Sequence, residues 1–154
     1  MRLPFARIRD NVKVPVRANP SDAGLDVFFC PERQDTVVDI APGKSARLQT
    51  GLVFEIPHGF VLMGCNKSGV AANKDLDLGA CVIDSGYEGE VFVDMHNVGL
   101  STQKIRAGDK IAQLVLLPVI HAVPTEESKK TLYLHPRITF SNRGDGALGS
   151  TGTR

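Results

Sequence analysis

Short apolar runs separated by turn residues dominate the first 120 positions of the chain. Strand-like runs occupy residues 12–16, 36–40, 46–50, 52–56, 60–65, 91–97 and 110–120. Pro15 lies inside the first run and marks it as an edge strand, because proline cannot donate to a sheet ladder. Turn signals recur about every 8–12 residues, which is the spacing of a β-sandwich, a jelly roll or a barrel.

The stretch 79–90 differs from the other runs because its apolar start ends on a carboxylate. Residues 81–83 are followed by Asp84, a Ser-Gly turn and then the alternating run 91–97. This order predicts a β-hairpin with a tight turn. Asp84 has two interpretations at this point: a turn aspartate that bonds its own backbone, or a general base at the mouth of a pocket.

Only residues 68–74 have the pattern of a helix, of about two turns at most. Residues 141–154 are rich in glycine and nearly free of apolar side chains, which predicts either a frayed tail or a phosphate-binding flap. Their glycine spacing is close to that of a Walker A loop, but Ser150 stands where that loop needs lysine. We therefore expect a β-rich domain at 1–140 and a flexible arm at 141–154.

Composition narrows the class of protein. A chain of 154 residues fits one domain, and its balance of 18 basic against 17 acidic residues argues against duplex nucleic acid as a partner. No apolar run reaches about 18 residues, so no membrane span is expected. The three cysteines form no CxxC pair, and the first residues do not look like a signal peptide. These features predict an intracellular, cytoplasmic protein, with the nucleus or a virus-infected cell as further options.

Five short stretches, in order along nearly the whole chain, resemble the trimeric all-β dUTP pyrophosphatases, or dUTPases. They are AGLD at 23–26, KSGVA at 67–71, GACVIDSGYEGE at 79–90, GDKIAQL at 108–114 and RGDGALGSTG at 143–152. The resemblance implies a jelly-roll-like β-barrel with at most one short helix and a glycine-rich C-terminal arm. It also implies a homotrimer with shared active sites, dUTP as substrate and Mg²⁺ as cofactor.

The resemblance assigns a role to individual residues. Asp84 matches the general base that activates water for attack on the α-phosphate of dUTP, and Gln113 matches the glutamine beside that water. Asp26 matches the carboxylate that acts on the metal, and Tyr87 matches the ring that packs under the deoxyribose and excludes a 2′-hydroxyl. The remaining substrate-binding positions are Lys67, Ser68, Gly69, Gly79, Cys81, Val82, Ile83, Arg143, Leu148, Gly149, Ser150 and Thr151.

Several of these residues also have a purely structural interpretation. Asp26 could be a solvated turn aspartate, and Ser68 could be a helix N-cap. Tyr87 could be an aromatic residue on a half-buried strand. Gln113 could be a polar residue that satisfies its hydrogen bonds inside an apolar strand.

Four positions depart from the pattern of the family. Lys67 replaces an arginine and so loses the planar fork, and Cys81 replaces a glycine in the backbone that is expected to recognise uracil. Ala147 replaces a glycine of the arm. Leu148 replaces a phenylalanine, and the lost stacking is worth about 1 kcal/mol.

These departures leave alternatives to a dUTP diphosphatase. One is a related hydrolase that prefers dCTP or a modified dUTP, and another is a non-catalytic nucleotide-binding trimer. The related dCTP deaminases carry an Arg-Ser-Ser stretch that this chain lacks, although Glu88 and Glu90 lie near the position of their catalytic glutamate. We expect Val91, Val93, Met95 and residues 111–119 to supply part of the apolar surface around a threefold axis.

Overall fold

The computed structural model describes residues 1–132 of the chain. Met1–His121 forms one compact unit, and a second unit begins at Ala122. The described part contains eleven strands and one helix, in the order β1 Phe5–Arg7, β2 Leu25–Phe28, β3 Val37–Ile40, β4 Ser45–Gln49, β5 Leu52–Phe54, β6 Phe60–Cys65, α1 Ser68–Lys74, β7 Leu76–Leu78, β8 Val82–Asp84, β9 Phe92–Asn97, β10 Gln103–Arg106 and β11 Lys110–Pro118. The predicted boundary between residues 140 and 141 lies outside the described residues.

Four antiparallel sheets make up the first unit. The largest has the strand order β2-β11-β6-β8, and the next has the order β4-β9-β7. The pairs β1-β5 and β10-β3 complete the set. This arrangement confirms the predicted all-β class with a single short helix, which covers residues 68–74 as expected.

Alternate side chains of the strands fill one hydrophobic core. Its most deeply buried members are Val27, Ile40, Leu48, Leu52, Leu62, Leu76, Val93, Met95, Ile105, Ile111 and Leu114. Strand β9 shows the predicted alternation, because Val91, Val93 and Met95 lie in this core while Phe92 and His96 face outward. Because these three residues are buried within one chain, they cannot contribute to the threefold interface that was predicted for them. Of the apolar surface predicted for that interface, exposed side chain remains on β11, at Leu117.

The predicted edge strand at residues 12–16 is wrong. Only Val16 makes a bridge, in which its backbone N–H and C=O pair with those of Asp26 at 3.1 and 2.7 Å. Val12 is buried in the core whereas Val14 and Val16 are exposed, so the three valines do not share a face. Pro15 has no N–H to donate, and one bridge is all that this segment forms.

The predicted hairpin of β8 with β9 is also wrong. Strand β8 pairs with β6, with Asp84 opposite Val61, whereas β9 lies between β4 and β7. Both edges of β9 are therefore already occupied. The turn after Asp84 carries the chain from one sheet to another, which places its side chains at the boundary between the two sheets.

No helix in residues 1–132 is long and apolar enough to cross a membrane. All three cysteines are free thiols, and Cys30 is buried. The described part of the second unit ends in a turn, in which the Thr131 N–H donates to the Ser128 carbonyl at 2.9 Å.

Candidate active site

A buried carboxylate between two lysines organises the first group of predicted site residues. Asp26 on β2 is only 3% exposed. Lys67 Nζ donates a hydrogen bond to Asp26 Oδ1 at 3.0 Å. Lys110 Nζ forms an ion pair with Asp26 Oδ2 at 2.8 Å.

The two lysines decide the ionisation of Asp26. Burial alone would raise the pKa of Asp26, but the contacts and positive charges of Lys110 and Lys67 outweigh it and hold the pKa below its ordinary value. The carboxylate is therefore ionised at neutral pH. Two ammonium groups against one carboxylate leave a net positive charge, which suits an anionic ligand.

Gln113 lies at the same level of the sheet as this cluster. It is opposite Asp26 on one side and Cys65 on the other, and its Nε2 donates to the Asn66 carbonyl at 2.9 Å. Its side chain also packs against Gly24 so closely that a Cβ at that position would overlap it. The first, second and fourth sequence motifs therefore meet at this end of the sheet.

Ser68 and Gly69 lie beside Lys67 at the exposed start of α1. The interpretation of Ser68 as the helix N-cap is wrong, because Lys67 holds that position and no side chain caps the helix. Ser68 is the first helical residue. Within residues 1–132 its hydroxyl makes no hydrogen bond, which leaves it free for a ligand.

The second group of site residues surrounds Asp84 at the end of β8. The Tyr87 N–H donates to the Asp84 carbonyl at 3.0 Å and closes the turn. The Asp84 carboxylate is exposed and accepts no hydrogen bond from the described part of the chain, so the turn does not depend on it. It lies on a pocket of about 200 Å³ that is lined by Ala80, Val82, Ile83, Asp84, Tyr87, Val91 and Phe92.

The Tyr87 ring is fixed by the turn that follows it. Its hydroxyl donates to the Glu90 carbonyl at 2.8 Å. Gly89 lies directly against the ring, since a Cβ there would be 2.6 Å from the hydroxyl oxygen. Tyr87 is thus held by Gly89 and by the Glu90 carbonyl, and it lines the pocket.

Glu90 anchors this turn to the rest of the unit. Its side chain is 10% exposed and accepts from Arg9 at 2.8 Å and from the Gly51 N–H at 2.7 Å. Arg9 also donates to the Cys30 carbonyl at 2.8 Å. The carboxylate of Glu90 therefore has a structural task.

Gly79 and Cys81 lie next to the pocket but do not line it. The Gly79 N–H donates to the Asp94 carbonyl at 2.8 Å, and the Cys81 carbonyl accepts from the Gly64 N–H at 2.7 Å. These two backbone groups, which were expected to recognise uracil, are already paired in the sheets. Of the predicted base-contacting positions, Val82 and Ile83 are the ones that border the pocket.

The two groups of site residues are far apart in one chain. Asp26 and Cys65 are both opposite Gln113, whereas Asp84 is opposite Val61. Three strand spacings and four residues along a strand separate Asp26 from Asp84, which amounts to roughly 20 Å. One copy of the chain does not bring them together.

The dUTPase family profile matches residues 10–152 of the chain. The chain belongs to the dUTPase family. The deoxyuridine 5'-triphosphate nucleotidohydrolase of Anaplasma marginale is 36% identical over 146 residues, which cover 91% of this chain and 89% of that relative. The enzyme of the same name from Desulfitobacterium hafniense is 34% identical, over 99% of this chain and 95% of its own length.

Solved structures of dUTPases share the fold of this chain. A dUTPase mutant from Staphylococcus bacteriophage 80alpha with dUpNHpp has a TM-score of 0.77 at 24% identity, over 98% of both chains. A dUTPase mutant from phage phi11 of S. aureus, which coordinates a structural Mg(II) ion, has a TM-score of 0.72 at 25% identity, over 84% of this chain and 98% of its own. The jelly-roll-like fold of this dUTPase is therefore established.

The described residues of this dUTPase do not fit a metal ion held by the protein alone. No three His, Cys, Asp or Glu side chains within residues 1–132 are grouped to hold one. Asp26, the predicted metal-associated carboxylate, is surrounded by two ammonium groups that would repel a divalent cation. The arm positions Arg143, Leu148, Gly149, Ser150 and Thr151 lie outside the described residues.

Sequence reasoning missed three contributors to these sites. The first is Lys110, which lies in the same sequence motif as Gln113. A carboxylate such as Asp26 in an apolar strand needs cations to balance its charge, and this need could have indicated that Lys110 joins Lys67 beside it. Phe92 lines the Asp84 pocket, but the alternating run 91–97 indicates only that it faces away from Val91 and Val93. Arg9 lies 81 residues from Glu90, and no sequence pattern links two such distant positions.

Proposed function

We propose that this dUTPase hydrolyses dUTP to dUMP and pyrophosphate at sites that form between the subunits of a homotrimer. The observation that carries the proposal is the free Asp84 carboxylate on a pocket that it shares with Tyr87. Lys67 and Lys110, which surround Asp26 at the other end of the sheet, form a lysine cluster that is suited to binding phosphates. Since roughly 20 Å separate the two groups in one chain, a neighbouring copy must supply one of them.

Asp84 acts as the general base. It accepts a proton from a water molecule whose oxygen forms a bond to the α-phosphorus of dUTP. The bond from the α-phosphorus to the oxygen that bridges it to the β-phosphate breaks, and pyrophosphate leaves with that oxygen. A base with no competing hydrogen bond is suited to this step, which typically contributes about 10²–10⁴-fold to the rate.

Tyr87 selects the sugar. Its ring is held by Gly89 on one side and by its hydrogen bond to the Glu90 carbonyl. Because these contacts prevent the ring from moving away from the sugar, it leaves no room for a 2′-hydroxyl group. The structural interpretation of Tyr87, as an aromatic residue on a half-buried strand, is weaker because Tyr87 lies in the turn and is 43% exposed.

A second subunit supplies the groups that bind the phosphates. Lys67, Ser68, Gly69 and Gln113 lie together at the end of the sheet, and Lys110 adds a second ammonium group. Asp26 holds both lysines in place through its ion pairs. Arg143, Leu148, Gly149, Ser150 and Thr151 belong to the arm that we propose closes over the bound nucleotide.

Mg²⁺ would be held by the triphosphate of dUTP and would neutralise part of its charge. A triphosphate offers the hard oxygen ligands that Mg²⁺ prefers, and Mg²⁺ usually keeps several waters in such complexes. This assignment agrees with the lysine pairs around Asp26, which serve the phosphate oxygens and not the metal. We place the reaction in the cytoplasm, where free thiols such as Cys65 and Cys81 persist.

Three observations weigh against the alternative activities. Glu90 is committed to Arg9 and Gly51, so it is not free to act as the glutamate of a deaminase. Cys81, the departure that suggested a changed base preference, does not line the pocket. Free Asp84 and fixed Tyr87 also exceed what a non-catalytic scaffold needs.

The experiment that tests this function is pyrophosphate release from a set of nucleotides. Purified protein is supplied with Mg²⁺ and with dUTP, dTTP, dCTP or UTP in separate reactions. We expect dUTP to be hydrolysed with the highest kcat/KM and UTP to be rejected. Preference for dCTP would instead establish the altered-base hydrolase, and no release from any nucleotide would overturn the enzymatic assignment.

A further inference from the structure

Phe92 is an apolar side chain on a face of β9 that is otherwise polar. The inward residues of β9 are buried in the core, whereas the outward ones are Phe92, Asp94 and His96. Its partner across the sheet is Gln49. Phe92 is 40% exposed, so it contributes little to the core of the unit.

The exposed part of Phe92 borders the pocket that holds Asp84. Tyr87 lines the same pocket and is 43% exposed, so two partly exposed aromatic side chains border one cavity of about 200 Å³. Val82 adds a further exposed apolar wall. Aromatic walls of this kind can contact the face of a flat ring such as a nucleobase.

The arm at residues 141–154 contains no aromatic residue, because Leu148 stands where the family has phenylalanine. Residues 141–154 therefore cannot supply an aromatic contact with the base, whereas the pocket can. Tyr87 is already held by the Glu90 carbonyl and is assigned to the sugar. Among the residues that line this pocket, Phe92 is the other aromatic side chain.

We infer that Phe92 contacts the uracil ring and determines the affinity of this dUTPase for the base. The inference rests on the proposed function, in which the Asp84 pocket receives the nucleoside. Phe92 then sets base affinity, Tyr87 sets sugar selection and Asp84 performs proton transfer. Each of the three residues affects a different kinetic quantity.

The first test uses fluorescence, because the chain has no tryptophan. Phe92→Trp places a single reporter on the pocket wall, and dUMP is titrated into the full-length protein. We expect a saturable change in emission whose midpoint matches the inhibition constant of dUMP for hydrolysis by the same variant. Leu100→Trp, at a fully exposed position that does not line this pocket, should not respond. A silent Phe92→Trp variant would overturn the inference.

The second test separates base contact from a general structural role. Phe92→Leu should raise the KM for dUTP by about fivefold, as expected for the loss of one aromatic pair. Its kcat and its ratio of dUTP to UTP hydrolysis should stay unchanged, because Asp84 and Tyr87 are intact. Phe5→Leu is the matched control, since Phe5 is 41% exposed and does not line this pocket.

The outcomes distinguish this inference from the proposed function. An unchanged KM in Phe92→Leu, in a wild-type protein that hydrolyses dUTP, overturns the role of Phe92 alone. A drop in kcat with unchanged KM also overturns it, because Phe92 would then act on the reacting groups. Absence of dUTP hydrolysis by the wild-type protein overturns the proposed function, while the dUMP titration still decides whether Phe92 borders a nucleotide pocket.

Discussion

Asp84 and Asp26 are two carboxylates that the same fold places in opposite environments. The Asp84 carboxylate is exposed and accepts no hydrogen bond within the described residues, so its lone pairs remain open to a proton. Asp26 is buried and paired with Lys67 and Lys110. The first is suited to proton transfer, and the second to holding two cations in position.

Asp84→Asn tests the assignment of the base. Asparagine keeps the size of the side chain but cannot accept the proton of the attacking water. We expect kcat to fall by about 10²–10⁴-fold, with dUMP binding and thermal stability retained. Glu88→Gln is the control, because Glu88 is an exposed carboxylate in the same turn. Near-normal turnover in Asp84→Asn would move the base elsewhere, with Glu88 as the first candidate.

Asp26→Asn tests the buried ion cluster through its pH dependence. The pKa of Asp26 lies below its ordinary value of 3.8, so the cluster stabilises the fold at neutral pH. This stabilisation is lost as the pH falls below 3.8 through the folded-state pKa. We expect the free energy of unfolding at pH 7 to decrease by about 1–3 kcal/mol, a range reduced because both lysines are partly exposed. The difference in the free energy of unfolding between the wild-type protein and Asp26→Asn should be smaller at pH 3 than at pH 7.

Urea unfolding at one fixed protein concentration measures this difference. Asp39→Asn is the matched control, since Asp39 pairs with Lys104 at an exposed site and should matter by less than about 1 kcal/mol. An equal deficit for Asp26→Asn at pH 7 and pH 3 would show that the charge of Asp26 is not the stabilising feature.

The turn that connects β8 to β9 is the element on which the proposed nucleoside pocket depends. It leaves one sheet at Asp84 and enters another at Phe92, and both of these residues border the pocket. The Glu90 side chain fixes the turn through Arg9, while the Glu90 carbonyl fixes Tyr87. One residue thus links the stability of the unit to the shape of the pocket.

Glu90→Gln weakens this anchor without changing its size. A neutral amide cannot compensate the guanidinium of Arg9, and hydrogen bonds to charged groups contribute about 1.5–3 kcal/mol. We expect a decrease of that size in the free energy of unfolding, measured by urea denaturation, together with a higher KM for dUTP. Glu88→Gln again serves as the control and should change neither quantity. If Glu90→Gln is destabilised but keeps the wild-type KM for dUTP, the Glu90–Arg9 contact does not determine the shape of the pocket.

Elements with a clear apolar pattern were predictable from the sequence, whereas several very short strands and the pairing of β8 were not. Strand β6, helix α1 and strand β9 follow clear apolar patterns, and their predicted bounds agree with the structure to within one residue. Strands β1, β2, β7 and β10 have three or four residues each, too few for a pattern to show. The false hairpin arose because adjacent strands usually pair, whereas β9 has both edges occupied by β4 and β7.

The candidate site was predictable where one motif held several of its residues. Asp84, Tyr87, Val82 and Ile83 border a common pocket, as their proximity in sequence suggested. The pairing of Asp26 with Lys110 depends on the register of β2 against β11, which the apolar pattern does not specify. Lys67 reaches the same carboxylate from the start of α1.

The proposed role of the arm, residues 141–154, is to complete the active site of the assembled molecule. Deletion of residues 141–154 removes Arg143, Leu148 and the hydroxyls of Ser150 and Thr151, and it leaves the barrel strands intact. We expect an unchanged melting temperature and assembly, with almost complete loss of dUTP hydrolysis, because the proposed closure would exclude water and add phosphate contacts. Replacement of residues 141–154 by a Gly/Ser segment of equal length is the control for chain length and should be equally inactive. Full activity in the deletion variant would show that the barrel alone is sufficient.

Separation of the two site groups within one chain is the feature from which we infer an oligomer. The lysine cluster and the Asp84 pocket lie at distant points of the sheet β2-β11-β6-β8. A trimer in which neighbouring copies bring these two groups together would contain three equivalent sites. Light scattering at micromolar concentration should therefore report the mass of three chains.

Subunit mixing tests the shared site most directly. Asp84→Asn removes the base, and Lys67→Ala removes a phosphate-binding group, so each variant alone should be nearly inactive. In mixed trimers formed by joint refolding at equal amounts, some sites combine an intact Asp84 from one copy with an intact Lys67 from its neighbour. Random assembly should restore about a quarter of wild-type activity, since each contributor is intact half of the time. Mixed trimers that are confirmed by mass and remain as inactive as their parents would contradict the shared site.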